Sequence, residues 1–303
     1  MDIIDFPATC SDMPQLTAAL GFFDGVHLGH RKIIEKAVSI AKSSGTSPAV
    51  VTFRSEDPGI KSSSPRITDT ERKLEIFDSL GVERVIFLPF SEVSSLTPKS
   101  FVKDILTDTL SVKTAVCGFN YRFGKDATGD SRMLERLMMD EGERAVVCDE
   151  VIVGGTPVSS SLIRELLEDG AVDSAAKLLG DNYTVILPVV HGKQLGRRIG
   201  FPTVNQIQPD GMVKLKNGVY ATRVTFNGKS YRGVTNAGLR PTVENAVKAN
   251  LETYIEDFSE NIYGETVRIE FLKFIRPEIR FPGVQDLIKQ IKLDVSEVSK
   301  GEL

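Results

Sequence analysis

The stretch that decides the fold reads Gly21-Phe22-Phe23-Asp24-Gly25-Val26-His27-Leu28-Gly29-His30. It follows an apolar run at residues 16–21 and precedes a segment, 30–42, in which apolar residues recur at spacings of three and four. A buried strand, a glycine-containing turn and an amphipathic helix in this order are typical of a parallel α/β sheet. Open α/β folds bind their ligands at the carboxyl ends of such strands, where this turn is expected to lie.

The same alternation of strands and helices continues to about residue 182. Further apolar runs predict buried parallel strands at 49–53, 84–88, 114–117 and 145–151. Helical patterns occupy 101–110, 130–141, 160–168 and 172–179. Thr68 and Glu71 form a capping box for another helix, and Thr97 precedes Pro98 as an N-cap. We therefore predict a doubly wound parallel-sheet α/β domain over residues 1–182.

The pattern changes from residue 183 onward. Short runs rich in β-branched and aromatic residues predict strands at 183–190, 218–226, 230–235, 251–255 and 266–274. The pair Asn227-Gly228 predicts a tight hairpin between two of them. An amphipathic segment at 284–298 predicts a terminal helix. The sequence thus indicates a second domain over residues 183–303, an antiparallel β-barrel with a terminal helix.

The composition excludes several classes of protein. The chain has 303 residues, of which 41% are hydrophobic and 26% charged, with a net charge of −4. These values are typical of a folded globular protein, and the net charge gives no general attraction to nucleic acid. Three scattered cysteines (Cys10, Cys117 and Cys148) and an acidic N-terminus favour a reducing compartment without a signal peptide. We expect a cytoplasmic protein with small-molecule substrates and no membrane, nucleic-acid or obligate protein partner.

The first domain carries a candidate phosphate site. No two glycines are spaced as Gly-x-Gly, which excludes the dinucleotide fingerprint. Instead, His27 and His30 stand where a helix begins, and backbone N–H groups there bind phosphates. Ser159-Ser160-Ser161 and Arg164 begin a later helix and offer further donors. Such donors can stabilise the charge that develops in nucleotidyl transfer. The alternatives are an ordinary turn with solvent-facing imidazoles and a plain serine N-cap.

The second domain carries a candidate kinase loop, His191-Gly192-Lys193-Gln194-Leu195-Gly196-Arg197-Arg198-Ile199-Gly200-Phe201-Pro202-Thr203-Val204-Asn205. Pro202 favours an extended chain, in which Thr203 and Asn205 project from the same side. A hydroxyl and an amide oxygen side by side can share Mg²⁺ and ATP phosphates.

A kinase that acts on an alcohol also needs a carboxylate that accepts the hydroxyl proton. Glu252 and Glu256 lie on the polar face of one predicted strand, and their spacing does not choose between them. The alternative for either residue is an ordinary solvated surface glutamate.

The chain resembles the prokaryotic bifunctional FAD synthetases, which combine riboflavin kinase and FMN adenylyltransferase. The first half shares Gly-x-Phe-Asp-Gly-x-His-x-Gly-His at 21–30, Gly-Phe-Asn-Tyr-Arg-Phe-Gly at 118–124 and Ser-Ser-Ser-x-Ile-Arg at 159–164. The second half shares Gly-Arg-x-x-Gly-Phe-Pro-Thr-x-Asn at 196–205, Asn-x-Gly-x-Arg-Pro-Thr at 236–242 and Leu-Glu at 251–252. The resemblance extends from about residue 16 to about residue 295.

The resemblance implies specific roles. The residues implied to bind ATP for adenylyl transfer are Gly21, Phe22, Asp24, Gly25, His27, His30, Asn120, Ser159, Ser160 and Arg164. Those implied to bind ATP in the kinase are Gly196, Arg197, Gly200, Pro202, Thr203 and Asn205, the last two also holding Mg²⁺. Those implied to contact flavin are Tyr121, Phe123, Arg240, Arg276 and Phe281. The implied kinase base is Glu252. The implied catalytic groups of the transferase are His27, His30 and Arg164. The implied substrates and products are riboflavin, FMN, ATP and FAD.

One departure from the family pattern leaves alternatives open. Where the family usually has Phe-Glu-Pro-His-Pro, this chain has Phe53-Arg54-Ser55-Glu56-Asp57-Pro58. The chain could therefore be mainly a riboflavin kinase with a weakened adenylyltransferase half. A flavin-binding regulator without turnover is a second alternative. A cytidylyl- or pantetheine-type transferase, which shares only the His-x-Gly-His motif, is a third and leaves the second half unexplained.

Overall fold

The computed structural model describes residues 1–7, 14–57, 64–192, 195–241 and 247–300. The chain forms two compact units, Met1–Ser160 and Ser161–Leu303. Cys10 and Pro58 lie outside the described residues.

The first unit contains a six-stranded sheet in which all neighbouring strands are parallel. Its strands, in the spatial order β1-β4-β3-β2-β5-β8, are β1 (Asp2–Asp5), β2 (Leu16–Leu20), β3 (Ser47–Thr52), β4 (Arg84–Phe87), β5 (Val112–Gly118) and β8 (Arg144–Cys148). Two small antiparallel ribbons accompany it, formed by β6 (Arg122–Phe123) with β7 (Gly129–Asp130) and by β9 (Ile152–Val153) with β10 (Thr156–Pro157). The predicted parallel α/β architecture is confirmed.

Helices connect the parallel strands. They are α1 (Leu28–Ser44), α2 (Thr70–Ser79), α3 (Phe90–Val93), α4 (Pro98–Ser100), a π-helix (Phe101–Thr109) and α5 (Ser131–Asp140). Helix α1 buries Ile33, Ile34, Ala37, Val38 and Ala41 against the sheet, as its spacing predicts. Every residue of β2 and β3 is buried, because both faces of this sheet are covered.

The start of α2 differs from the predicted capping box. The N-cap is Asp69, whose carboxylate accepts the backbone N–H of Arg72 at 2.8 Å. Thr68 does not cap the helix, because its hydroxyl accepts the N–H of Gly25 instead, at 3.0 Å. The hydrogen bond from Gly25 to Thr68 thus takes the place of the predicted capping box between Thr68 and Glu71.

The second unit is built on a six-stranded antiparallel sheet. Its strands, in the order β11-β16-β13-β14-β15-β12, are β11 (Tyr183–Pro188), β12 (Thr203–Ile207), β13 (Gly218–Phe226), β14 (Lys229–Pro241), β15 (Val247–Ile255) and β16 (Thr266–Pro277). Its helices are α6 (Ser160–Glu168), which starts at the last residue of the first unit, α7 (Val172–Leu179), α8 (Leu195–Arg198) and the terminal α9 (Val284–Lys300).

The two end strands of this sheet approach each other. The N–H of Val190, just after β11, donates to the carbonyl of Asn205 in β12 at 2.8 Å. Beside it, the buried amide of Gln206 donates to the carbonyls of Leu187 and Val267. These bonds close the sheet into the predicted barrel at the position of Asn205.

The hairpin predicted at Asn227-Gly228 is also present. Phe226 pairs with Lys229, and both turn residues have positive φ, 48° at Asn227 and 73° at Gly228. This is the geometry that the Asn-Gly pair favours in a two-residue turn.

Candidate functional site

The loop between β2 and α1 leaves the carboxyl end of a central strand with an unusual backbone. Phe23, Gly25 and Val26 have φ values of 55°, 82° and 38°. Left-handed conformations cost energy for Phe and Val and occur where surrounding contacts enforce them, often at binding sites. Here Phe23 and Val26 are completely or almost completely buried, which holds the strained turn in place.

The two histidines of the motif lie at the start of α1. His27 is the N-cap, and its Nδ1 accepts the N–H of His30 at 3.3 Å. The two imidazole rings stack with centroids 3.6 Å apart, and His30 also packs edge-on against Phe23. Burial, with smaller contributions from His27 and Lys73, lowers the pKa of His30 well below its usual value. Within the described part of the chain, the buried Nδ1 of His30 has no hydrogen-bond partner.

Asp24 holds this loop to the segment before α2. Its carboxylate accepts the N–H groups of Ile67 and Thr68 at 2.9 and 3.2 Å. Its backbone carbonyl accepts a hydrogen bond from the Ser160 hydroxyl at 3.0 Å. Asp24 and Ser160, two residues of the predicted ATP site, are therefore brought together, and both position the loop.

A cavity of about 760 Å³ opens beside the loop in the first unit. Its polar lining residues are His30, Ser94, Asn120, Arg122 and Asp126. The rest of the wall is mostly apolar and aromatic and includes Phe22, Phe23, Phe53, Leu88, Phe90, Phe101, Tyr121 and Phe123. A largely apolar, aromatic cavity with a few polar groups fits a flat aromatic ligand that also carries polar groups.

Tyr121 and Phe123 form one aromatic side of this cavity. Their rings are nearly parallel, with centroids 5.6 Å apart, and Phe101 packs against Phe123. Asn120 precedes them, next to the carboxyl end of β5. The structure thus places these three predicted site residues in the same cavity as His30.

The segment that departs from the family pattern is fixed by its own charged residues. Phe53 lines the cavity and packs edge-on against Phe90. Arg54 pairs with Asp5, Glu56 accepts the hydroxyl of Thr70 at 2.6 Å, and Asp57 accepts the N–H of Phe90. In the described part of this segment, only Phe53 contributes to the cavity wall.

Arg164 lies on α6, whose first residue is Ser160, and Ser159 directly precedes this helix. Ser160 belongs to the first compact unit and Arg164 to the second. The predicted phosphate contacts of Ser159 and Arg164 stay predictions.

In the second unit, strand pairing aligns the predicted kinase residues. Thr203 pairs with Tyr254, and Asn205 pairs with Glu252. Directly paired residues of antiparallel strands project from the same face, so these four side chains share one face of the barrel. Asn236 pairs with Glu252 from the other side.

A cavity of about 700 Å³ lies on this face. Thr203, Asn236, Glu252 and Tyr254 contribute polar atoms, and the remaining wall consists of Gly196, Ile199, Phe201, Val219, Val234 and residues of the 276–294 segment. A second cavity, of about 330 Å³, is lined by Arg197, Pro202, Thr203 and residues 258–263. Thr203 lines both cavities, which therefore adjoin at this residue.

Two glycines leave room for the close packing around Asn205 and Phe201. A Cβ on Gly192 would overlap the side-chain amide of Asn205, and a Cβ on Gly196 would overlap the carbonyl of Phe201. Asn205 is 5% exposed, and its Oδ1 has no hydrogen-bond partner among the residues described here. A buried, unpartnered amide oxygen two residues along the strand from a threonine, on the same strand face, fits an oxygen-preferring divalent cation.

The structure distinguishes the two candidate carboxylates. Glu252 lines the larger cavity together with Thr203, and its Oε1 accepts the Asn250 amide at 3.1 Å. Glu256 does not line this cavity, and its carboxylate accepts the hydroxyl of Ser299 on α9 at 2.6 Å. Geometry therefore favours Glu252, as the resemblance implied.

Of the three residues implied to contact flavin in this unit, two line the larger cavity. These two are Arg276 and Phe281. Arg276 forms a bidentate ion pair with the buried Asp294 on α9, with a shortest distance of 2.7 Å. Arg240 lies on β14, but its side chain is outside the described part of the chain. Gly200, with φ of 87°, forms the turn before Phe201.

Sequence reasoning missed Lys73. Its side chain is completely buried, and its ammonium donates to the carbonyl of Phe22. The available signal was its position: Lys73 lies between Thr70, Ile76 and Phe77 on the buried face of α2. A lysine on the apolar stripe of a helix is unusual, because charged groups are buried only when paired.

His191, the third histidine, stacks on Tyr263 with centroids 4.0 Å apart. It lines neither of the two cavities described above.

Comparison with known proteins gives consistent matches over the whole chain. A family model for FAD synthetase matches residues 10–162, and one for riboflavin kinase matches residues 179–301. A bifunctional riboflavin kinase/FMN adenylyltransferase of Listeria monocytogenes is 37% identical, covering 91% of this chain and 89% of the relative. The Bacillus subtilis protein of the same name is 36% identical, covering 92% and 90%. A crystal structure described as a macrolide-efflux protein from Streptococcus pneumoniae superposes with a TM-score of 0.88 at 29% identity over all of both chains.

Proposed function

Because the chain belongs to the family of bifunctional riboflavin kinase/FMN adenylyltransferases, we propose that it converts riboflavin to FAD in two steps. The domain of residues 183–303 phosphorylates riboflavin to FMN with ATP. The domain of residues 1–182 transfers AMP from a second ATP to FMN and releases pyrophosphate. The observation that carries this proposal is that each compact unit has its own cavity, lined by the residues of its own family motif.

In the kinase step, Glu252 accepts the proton of the ribityl 5′-hydroxyl as its oxygen attacks the γ-phosphorus of ATP, and ADP leaves. The position of Glu252 in the larger cavity supports this role, since a general base must lie within hydrogen-bond reach of its proton. Thr203, which lines both cavities, holds the ATP phosphates together with Asn205, the second residue along the same face of β12.

Magnesium fits the second unit. The hydroxyl of Thr203 and the unpartnered Oδ1 of Asn205 would hold the ion with the nucleotide. When bound, Mg²⁺ supplies neutralisation of phosphate charge. The residues of the chain position the nucleotide and accept the proton.

In the adenylyl transfer step, a phosphate oxygen of FMN attacks the α-phosphorus of ATP, and pyrophosphate leaves. No covalent enzyme intermediate is needed, so catalysis consists of positioning and charge stabilisation. His27, His30 and the N-terminus of α1 provide donors for the phosphates, with Ser159, Ser160 and Arg164 as further donors. The aromatic wall of the cavity, including Phe53, Tyr121 and Phe123, holds the flavin ring.

The test of the proposed function gives the purified protein riboflavin, ATP and Mg²⁺ and follows the flavins by chromatography. We expect riboflavin to disappear, FMN to rise transiently and FAD to become the final product. FMN as the persistent product would favour a kinase with a weakened adenylyltransferase half. Unchanged riboflavin, together with FMN unchanged when it is supplied directly, would contradict both activities and favour a flavin-binding regulator.

The proposed ion site makes a specific prediction. We expect Asn205→Ala to raise the Mg²⁺ concentration needed for half-maximal FMN formation by at least about tenfold, because loss of even an outer-shell partner costs 10–100-fold in metal affinity. Titration of Mg²⁺ in the riboflavin kinase reaction measures this shift. Val204→Ala, which changes the neighbouring residue on the opposite face of β12, should leave the requirement unchanged. An equal shift in both variants would argue against ligation by Asn205.

We further propose that the protein acts in the cytoplasm on small molecules, without an obligate protein partner and without binding nucleic acid. The scattered cysteines and the net charge of −4 support this. Over the described ranges, the helices are all too short or too polar to cross a membrane.

A further inference from the structure

Lys73 occupies an uncommon position for a lysine. Its side chain is 0% exposed, although burying an ammonium is unfavourable unless it is paired. Its Nζ donates to the Phe22 carbonyl at 2.8 Å and lies 4.1 Å from the centroid of the Phe22 ring. One lysine thus holds both the main chain and the side chain of a residue that lines the first-unit cavity.

The contact falls where the site loop departs from β2. The Phe22 carbonyl also accepts the hydroxyl of Thr52 at 3.2 Å, so two donors fix it. The next residue, Phe23, has the strained φ of 55° and packs against His30. A displacement of Phe22 would therefore move the residues that position the His30 imidazole. A charge-assisted hydrogen bond is the stronger of the two restraints.

Charged groups face Lys73 from each neighbouring segment. Asp24 in the site loop, Glu56 after β3 and Asp69 at the start of α2 favour its charged form, while Arg66 disfavours it. Burial is the largest influence and lowers the pKa of Lys73 to about 8. The charge of Lys73 acts in turn on His30, whose pKa it helps to lower.

We propose that Lys73 is a positioning residue for adenylyl transfer, whose ammonium holds Phe22 and thereby the loop and the His30 imidazole in their working arrangement. This rests on the proposed conversion of FMN to FAD in the first domain. Lys73 does not line the first-unit cavity and acts through Phe22, which does. The charged form makes the stronger hydrogen bond to the Phe22 carbonyl and the attractive contact with the Phe22 ring, so the positioning weakens as the pH rises through about 8.

The effect of Lys73 on stability has the opposite sign. The folded-state pKa of about 8 lies below the ordinary lysine pKa of 10.5, so between these two pH values the unfolded chain binds the proton that the folded chain has lost. The contribution of Lys73 to the free energy of unfolding therefore increases with pH across this window. A loss of adenylyl transfer in the same window is thus not explained by unfolding through Lys73.

The test measures kcat and KM for FMN-to-FAD conversion by the full-length protein from pH 6.5 to 9.5, with Mg²⁺ and ATP saturating. For the unmodified protein we expect kcat to fall as the pH rises through about 8. Lys73→Met should lower kcat by about 10–100-fold at pH 7, with a smaller change in KM, because misplacing catalytic groups by about 1 Å can cost 10²-fold. The remaining activity of this variant should lack the alkaline decrease.

The matched control is Thr52→Val, which removes the other donor to the Phe22 carbonyl and leaves the ammonium in place. We expect a reduced rate with the alkaline decrease retained. An alkaline decrease that persists in Lys73→Met, or a wild-type kcat in that variant, would overturn the proposal.

If Lys73→Met does not fold, the dependence of kcat on pH in the unmodified protein still tests the proposal. A kcat that stays constant from pH 7 to 9.5 would overturn the role of Lys73, whereas absence of FAD at every pH would contradict the proposed function itself.

Discussion

Replacing Glu252 with Gln should reduce the conversion of riboflavin to FMN by about 10²–10⁴-fold, the range that a positioned general base contributes. The amide keeps the size of the side chain but does not accept the hydroxyl proton. The conversion of FMN to FAD should stay at the unmodified rate, because the two compact units have separate cavities. Chromatographic assays started separately from riboflavin and from FMN measure the two steps.

Glu256→Gln is the matched control for this experiment. Glu256 directly follows strand β15, which carries Glu252, but its carboxylate accepts a hydrogen bond from Ser299 and it does not line the larger cavity. We expect FMN formation to change by less than about threefold, as is usual for surface substitutions. Equal losses in the two variants would show that negative charge in this region, rather than a base at residue 252, matters for the kinase.

Replacing His30 with Ala should give the reverse pattern. We expect FMN to accumulate and FAD formation to fall by about 10²–10³-fold, the cost of removing one preorganised donor from a site that stabilises developing charge. The stacked His27 ring loses its partner in the same variant, which adds to the effect. The assay is the time course of FMN and FAD when riboflavin is the starting flavin.

His191→Ala is the control for the loss of a stacked histidine. His191 stacks on Tyr263 in the second unit and is not one of the residues that line the first-unit cavity. Its replacement should leave FMN-to-FAD conversion unchanged. If His30→Ala forms FAD at the unmodified rate, the phosphate site does not depend on this imidazole.

Much of the fold could be predicted from the sequence, because its strands are buried on both faces or its helices bury one apolar stripe at regular spacing. Strands β2 and β3 are buried on both faces and read as continuous apolar runs. Helices α6 and α7 have the predicted bounds, Ser160–Glu168 and Val172–Leu179, because an apolar stripe and a turn delimit each of them. Strand β1 was missed because it is an exposed edge strand with aspartate at both ends, and such a strand lacks the apolar signal.

The remaining features depend on contacts that are distant along the chain. Thr68 matches a local capping pattern, but its hydroxyl is used by Gly25, 43 residues away. Glu252 and Glu256 are equivalent by spacing and differ because α9 brings Ser299 to only one of them. The role of Lys73 depends on the Phe22 carbonyl, 51 residues away. Sequence patterns identify such residues as unusual, whereas their partners require the fold.

The closure of the barrel at Asn205 limits how the chain length can vary. The main chain of Asn205 joins the end strands through Val190, while its side chain belongs to the candidate nucleotide site. Inserting or deleting one residue just before β12 shifts the register of this strand by one residue. Such a shift turns Thr203 and Asn205 to the opposite face, and it also breaks the hydrogen bond that joins the two end strands. The Asn227-Gly228 turn takes part neither in the closure of the barrel nor in the candidate nucleotide site. Natural length variation and engineered insertions are therefore compatible with that hairpin and not with the segment that leads into β12.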